Sequence, residues 1–111
     1  MKRYLGALAA ISTLLPAAAQ ATPNGTPSGY ITWMGGGWSS ANLRVQTDAA
    51  FANPENCTYT DGYITDPADS GNALFNSLLL SAYMSHRKVN FVIDGCTFGR
   101  PHIISVAVLP N

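Results

Sequence analysis

Residues 72–94 read NALFNSLLLSAYMSHRKVNFVID. In the first part Leu74, Leu78 and Ala82 recur at every fourth position, and Phe75, Leu79 and Tyr83 run beside them one residue on. Residues four apart share a side of an α-helix, so the two rows make one broad apolar stripe, as a helix packed on a sheet requires. Leu80 and Met84 lie off the centre of that stripe, where they are available to a partner. His86, Arg87 and Lys88 close the helix, and positive charge suits the negative end of its dipole. The period then changes to two: Val89, Phe91 and Ile93 face one way, which predicts a strand over 89–94. A helix made to cover a sheet, followed at once by a strand, sets the class as small β-rich α+β.

Working outward, Asp66-Pro67-Ala68-Asp69 is a helix-start signal. Asp66 suits the N-cap, Pro67 the first helical position, and Asp69 the positive helix end. Asp69 or Ser70 is a second candidate cap, because Gly71 is a poor interior residue. Tyr30–Met34 is β-branched and aromatic, and residues 41–47 alternate Ala41, Leu43, Val45 against Asn42, Arg44, Gln46. Both predict strands, joined as a hairpin through the turn or bulge at Gly35-Gly36-Gly37. A further strand is expected at 56–60, where Thr and Tyr precede Asp61-Gly62. Residues 102–109 predict the last strand, apolar on both faces and so central in the sheet or covered by a neighbouring subunit. The order β-β-(β)-α-β-β predicts an OB-like curved antiparallel sheet or barrel with one helix, a split α+β sheet being the rival.

The chain opens with Lys2 and Arg3, an apolar run from Tyr4 to Leu15, and the small-residue end Ala19-Gln20-Ala21. This is the pattern of a secretory signal peptide over 1–21, which makes the expected location secreted or periplasmic. The run is too short for a membrane span and Pro16 interrupts it. Residues 22–29, TPNGTPSG, are expected to be a flexible mature N-terminus, and 30–111 a single OB-like domain. Cys57 and Cys96 are the only cysteines. In an oxidising compartment they are expected to form one disulfide, since neither a CxxC pair nor a histidine cluster completes a metal site.

Four basic and six acidic residues remain after position 21. That balance argues against a nucleic-acid partner, which wants a basic patch, and against a stable electrostatic membrane anchor. His86 and His102 sit at a helix end and a strand start, with no motif that joins them, so no catalytic or metal residue is assigned. Asp61 and Asp94 precede glycines and read as turn residues, and Asp66 and Asp69 as helix-start residues. There is no GxSxG elbow and no phosphate loop, and no cofactor is expected. Trp38 and Ser39, just beyond three glycines, are the candidate ligand-binding residues of the first half. Arg100, in Gly95-Cys96-Thr97-Phe98-Gly99-Arg100-Pro101, reads as part of a stapled hairpin connection. It is also a candidate donor of paired hydrogen bonds to an anionic ligand or a partner carboxylate.

The run Asn72–Tyr83 followed by Lys88-Val89-Asn90-Phe91-Val92-Ile93 resembles the B subunits of subtilase-cytotoxin and pertussis-like bacterial toxins over about residues 57–109. In that family a helix rich in Leu, Ala and Tyr precedes a short strand. The resemblance implies a small secreted OB fold, assembly into a homopentameric ring, and non-enzymatic recognition of a glycan. Two features depart from the family: His86-Arg87 replaces a Gly-containing turn, and neither Ser28-Gly29-Tyr30 nor Trp38-Ser39-Ser40 matches its Tyr-Tyr-Ser segment. No sugar-binding residue therefore carries over. A secreted binding subunit for a glycan or partner protein is the leading expectation. The alternative is a periplasmic inhibitor or immunity protein that blocks a toxin or cell-wall hydrolase.

Overall fold

The computed structural model describes residues 22–111, so the expected signal peptide lies outside the described residues. The elements in chain order are β1 (Asn24–Gly25), β2 (Gly29–Gly36), β3 (Leu43–Thr47), β4 (Tyr63–Ile64), α1 (Asn72–Ser85), β5 (Lys88–Thr97) and β6 (Arg100–Val108). Five of the strands close a circuit. β2 pairs β3, β3 pairs β4, β4 pairs β6, β6 pairs β5, and β5 returns to β2. With the helix between β4 and β5, this is the strand order of an OB barrel. One pairing corrects the antiparallel expectation: β4 and β6 run parallel, with Ile64 opposite His102, so the sheet is mixed.

The core is where the strand alternation places it. Val45, Val89, Phe91, Ile93 and Ile103 are buried, Tyr63 packs edge-on against Phe91, and α1 contributes Leu79 and Ala82. The helical stripe is narrower than the sequence suggests, because Leu74 and Tyr83 are exposed. Leu80 and Met84 face outward as expected. The apolar residues on both faces of β6 have a local cause. Val92 faces Ser105 and Ile93 faces Ile103, so Ile104 is an extra, unpaired residue. That bulge reverses the alternation: Ile103 points inward before it, and Val106 and Val108 pack on the core after it.

Other local expectations change. Residues 22–29 are not a loose tail: Asn24 and Gly25 pair with Ile93 and Val92, and Thr26 N–H donates to Phe91 O at 2.9 Å. Residues 56–60 form no strand, and the third barrel strand is the two-residue β4 further on. Asp66 does not cap α1. Its Oδ1 accepts the Ala68 N–H at 2.9 Å in a preceding turn, and Gly71 is the N-cap. Asp94-Gly95 is a bulge inside β5, with Gly95 at φ +71, where a turn was read. At the other end of α1, His86 takes the left-handed cap (φ 54, ψ 58) that glycine usually fills, a strain of about 1 kcal/mol or more. Its ring stacks on Tyr30 at 4.3 Å and 5°, which offsets that strain and accounts for histidine at this position.

Candidate functional site

The site is built by the long segment that returns from β3 to β4. The Cys57–Cys96 disulfide, as expected from the sequence, fastens its middle to β5. Asn53 brackets the same point, its Oδ1 accepting Cys57 N–H at 2.8 Å and its Nδ2 donating to Cys57 O at 3.1 Å. Two residues on, Tyr59 N–H donates to Gly99 O at 2.8 Å across to the β5–β6 hairpin. Gly99 has φ +78, and a Cβ there would lie 2.5 Å from the Tyr59 ring, so the Cδ2–Cε2 edge of the ring lies directly against the turn.

So held, Asp61 meets two arginines from different strands. Arg100 donates Nε to Oδ1 at 2.6 Å and Nη2 to Oδ2 at 3.0 Å, and Arg44 Nη1 lies 2.7 Å from Oδ2. Each guanidinium also covers an aromatic ring: Arg44 sits 4.2 Å from the Trp33 centroid, and Arg100 4.8 Å from that of Tyr59. Trp33 itself lies against Gly35, where a Cβ would come within 2.5 Å of the indole. The result is a row, Trp33–Arg44–Asp61–Arg100–Tyr59, in which three planar polar groups stand between two aromatic rings. The hydrogen bonds from Arg100, with the charge of both arginines, hold the Asp61 carboxyl below its usual range against a smaller opposing effect of burial. The same pair raises Arg100. With side-chain exposures of 21–43%, each pair is worth about 1 kcal/mol or less. The row's main effect is to fix geometry.

Trp33, Gly35, Gly36, Asn42, Arg44, Asp61, Ile64 and Arg100 surround an open, mostly polar hollow of about 290 Å³. Trp38 and Ser39 lie on the β2–β3 loop, whose two ends, Gly36 and Asn42, are part of that lining. Trp38 is 98% exposed. Arg100 is in the lining, but its paired donors face Asp61 of the same chain, and Nη1 donates to Phe98 O. The external carboxylate anticipated for it is thus replaced by an internal one. Arg44, Asp61, Trp33 and Tyr59 are the residues that sequence reasoning missed. Asp61 looks like a turn residue because its partners are 17 and 39 positions away and leave no local period.

Two other features stand apart from the hollow. Met34, Gly36, Gly37, Ala41, Asn42, Leu43, Asn76 and Leu80 line a shallow apolar depression of about 340 Å³ between the β2–β3 hairpin and α1. The histidines remain separate, as their spacing suggests: His86 is on Tyr30, while His102 Nε2 lies 2.6 Å from Asp69 Oδ2. Asp66, Asp69 and His102 bring ligand-type atoms within 4.8 Å of one another, a grouping to which the sequence gives no pointer. No helix of the described residues is long and apolar enough to cross a membrane. No family model, curated protein or solved structure matches this chain.

Proposed function

We propose that this chain is a secreted, non-enzymatic binding subunit of the toxin-B-subunit kind, and that its ligand is a glycan seated at the Arg44–Asp61–Arg100 hollow. The observation that carries the reading is the row of Trp33, Arg44, Asp61, Arg100 and Tyr59 beside the β2–β3 loop. OB barrels bind oligosaccharides and oligonucleotides on the second and third strands and the loops after the first and fourth. Arg44 is on the second strand of this barrel, Trp38 on the first of those loops, and Arg100 just past the second. Six acidic against four basic residues beyond position 21 disfavour the nucleic-acid choice. A sugar offers hydroxyls to planar polar groups and C–H faces to aromatic rings, and the row sets three such polar groups between two rings. Export agrees with the disulfide and with the leader pattern of residues 1–21. Assembly as a homopentamer belongs to the same reading. Its support is the apolar depression, lined in part by the exposed Leu80, on a helix that also exposes Leu74 and Met84.

A glycan array probed with the oxidised protein, followed by calorimetry on the best ligand, tests the proposal. Trp38→Ala and Arg44→Ala should each weaken binding by about tenfold or more, a loss of about 1.4 kcal/mol. An array without signal, or turnover of glycoside, ester or peptide substrates by the purified protein, overturns it. Light scattering coupled to size exclusion tests the ring, and a monomer discards that part.

A further inference from the structure

We propose that Asp66, Asp69 and His102 form a binding site for a divalent transition-metal ion, with zinc the best fit to the donors. The site is independent of the glycan reading and draws on different residues.

Two pieces of backbone assemble it. The parallel bridge between Ile64 and His102 sets the histidine beside the point where the chain leaves β4. Two residues later comes the turn 66–69, closed by Asp69 N–H donating to Asp66 O at 3.0 Å. The turn presents its first and last carboxylates to the same imidazole, and the three ligand atoms fall within 4.8 Å of one another. His102 sits on a strand with its side chain 17% exposed, and Asp69 is 31% exposed, so the donors are held at the protein surface and not on a waving tail.

Structural bonds use only part of the donor set of these side chains. Neither carboxylate caps α1, whose N-cap is Gly71 without a side-chain bond. Asp66 uses Oδ1 on the Ala68 N–H, which leaves Oδ2 for a ligand. Among the described residues no arginine or lysine pairs with Asp66 or Asp69. The histidine cannot balance the pair, since one imidazole nitrogen can donate to only one of two converging carboxylates. Even as a cation it offsets half of their charge. A divalent cation would balance both.

Two oxygens and one nitrogen suit zinc, which takes carboxylate oxygens at about 2.0–2.2 Å and imidazole nitrogen at about 2.0–2.1 Å. Ligand atoms of a tetrahedral ion at those lengths stand roughly 3.4 Å apart. The 2.6 Å Asp69–His102 contact would open and the wider separations would close, shifts within reach of side chains in a turn. Three protein donors leave a fourth position to water or an added ligand.

The test uses the full oxidised chain after chelator treatment. Zinc is titrated by calorimetry, and cobalt(II) by its visible absorption, which reports a nitrogen- and oxygen-ligated tetrahedral ion. Wild type should bind one ion, with Kd below about 100 µM. Asp69→Asn and His102→Gln should each weaken binding by more than about tenfold. His86→Gln should leave it unchanged. Far-UV circular dichroism confirms that the variants are folded, and zinc should raise the melting temperature of wild type but not of His102→Gln. No binding up to about 1 mM, or affinity kept in both ligand variants, overturns the site. Affinity lost in His86→Gln alone overturns it too, by moving the ion elsewhere.

Discussion

Breaking the Cys57–Cys96 bond is the most quantitative perturbation of this barrel. The two cysteines are 39 positions apart, and in the chain-entropy model a loop of that size restricts the unfolded state by about 13 cal/mol/K, or about 4 kcal/mol at room temperature. A domain of this size has about 5–10 kcal/mol in all, so the reduced protein should be marginal at physiological temperature. The comparison is oxidised against reduced wild type in urea, which leaves every side chain in place. The double variant Cys57→Ala/Cys96→Ala serves as a check. The midpoint should fall, and m should rise, because the unfolded chain expands when the link is cut. The loss should also spread unevenly. Without the link, the segment keeps only side-chain bonds (Asn53 on Cys57, Gln46 and the arginines on Asp61) and the single Tyr59–Gly99 backbone bond, so amides of residues 57–62 should lose exchange protection first. A difference below about 1 kcal/mol between oxidised and reduced protein would refute the reasoning, since the unfolded state would then be insensitive to the loop.

Three further outcomes are expected. Leu79→Ala, at a side chain with no exposure beneath the helix, should lose about 3 kcal/mol in urea unfolding; a loss under about 1 kcal/mol would mean that the helix does not seal the barrel. Gly99→Ala should lose about 1–2 kcal/mol, because it forces a side chain into a positive-φ position and against the Tyr59 ring, and unchanged stability would show that the ring does not rest on the turn. The Asp61 carboxyl is held below 3.8, so its contribution is complete above the unfolded value and is lost as pH falls through the lower folded value. Wild type should therefore lose more stability on acidification below about pH 4 than Asp61→Asn does, and parallel acid profiles would reject the clamp.

The sequence made legible those parts of the fold that depend on near neighbours. The four-residue rows of α1 and the alternation at Val89, Phe91 and Ile93 each report a local period, and both elements formed, although the helix ends at Ser85, before the basic run read as its close, and Lys88 already opens β5. The paired cysteines were readable from their chemistry. What failed depended on distant partners. Residues 56–60 carry strand-like composition, but the disulfide and the Asn53 bracket take their place in the fold, and the strand falls at Tyr63–Ile64. Asp66 looked like a helix cap because of its proline, and Gly71 delays the helix to Asn72. Trp38, singled out beyond the three glycines, is at the surface, while Trp33, which no local pattern singled out, lies over Gly35 under Arg44. Asp61 shows the limit best. An Asp-Gly pair is a turn signal wherever it occurs, and nothing local says that two arginines from other strands will converge on it.

The barrel closes through two segments far apart in sequence. Asn24 to Tyr30 are made before the rest of the barrel, yet every backbone partner they have on β5 lies between Lys88 and Ile93, beyond the helix. Until that segment arrives, the opening strand has an empty edge and the ring is a gap. Synthesis order and closure order are therefore opposed. The helix and β5 must be made before the barrel's earliest segment can be used, and the finishing step is a long-range one, on the slower side of the folding spectrum for so small a domain.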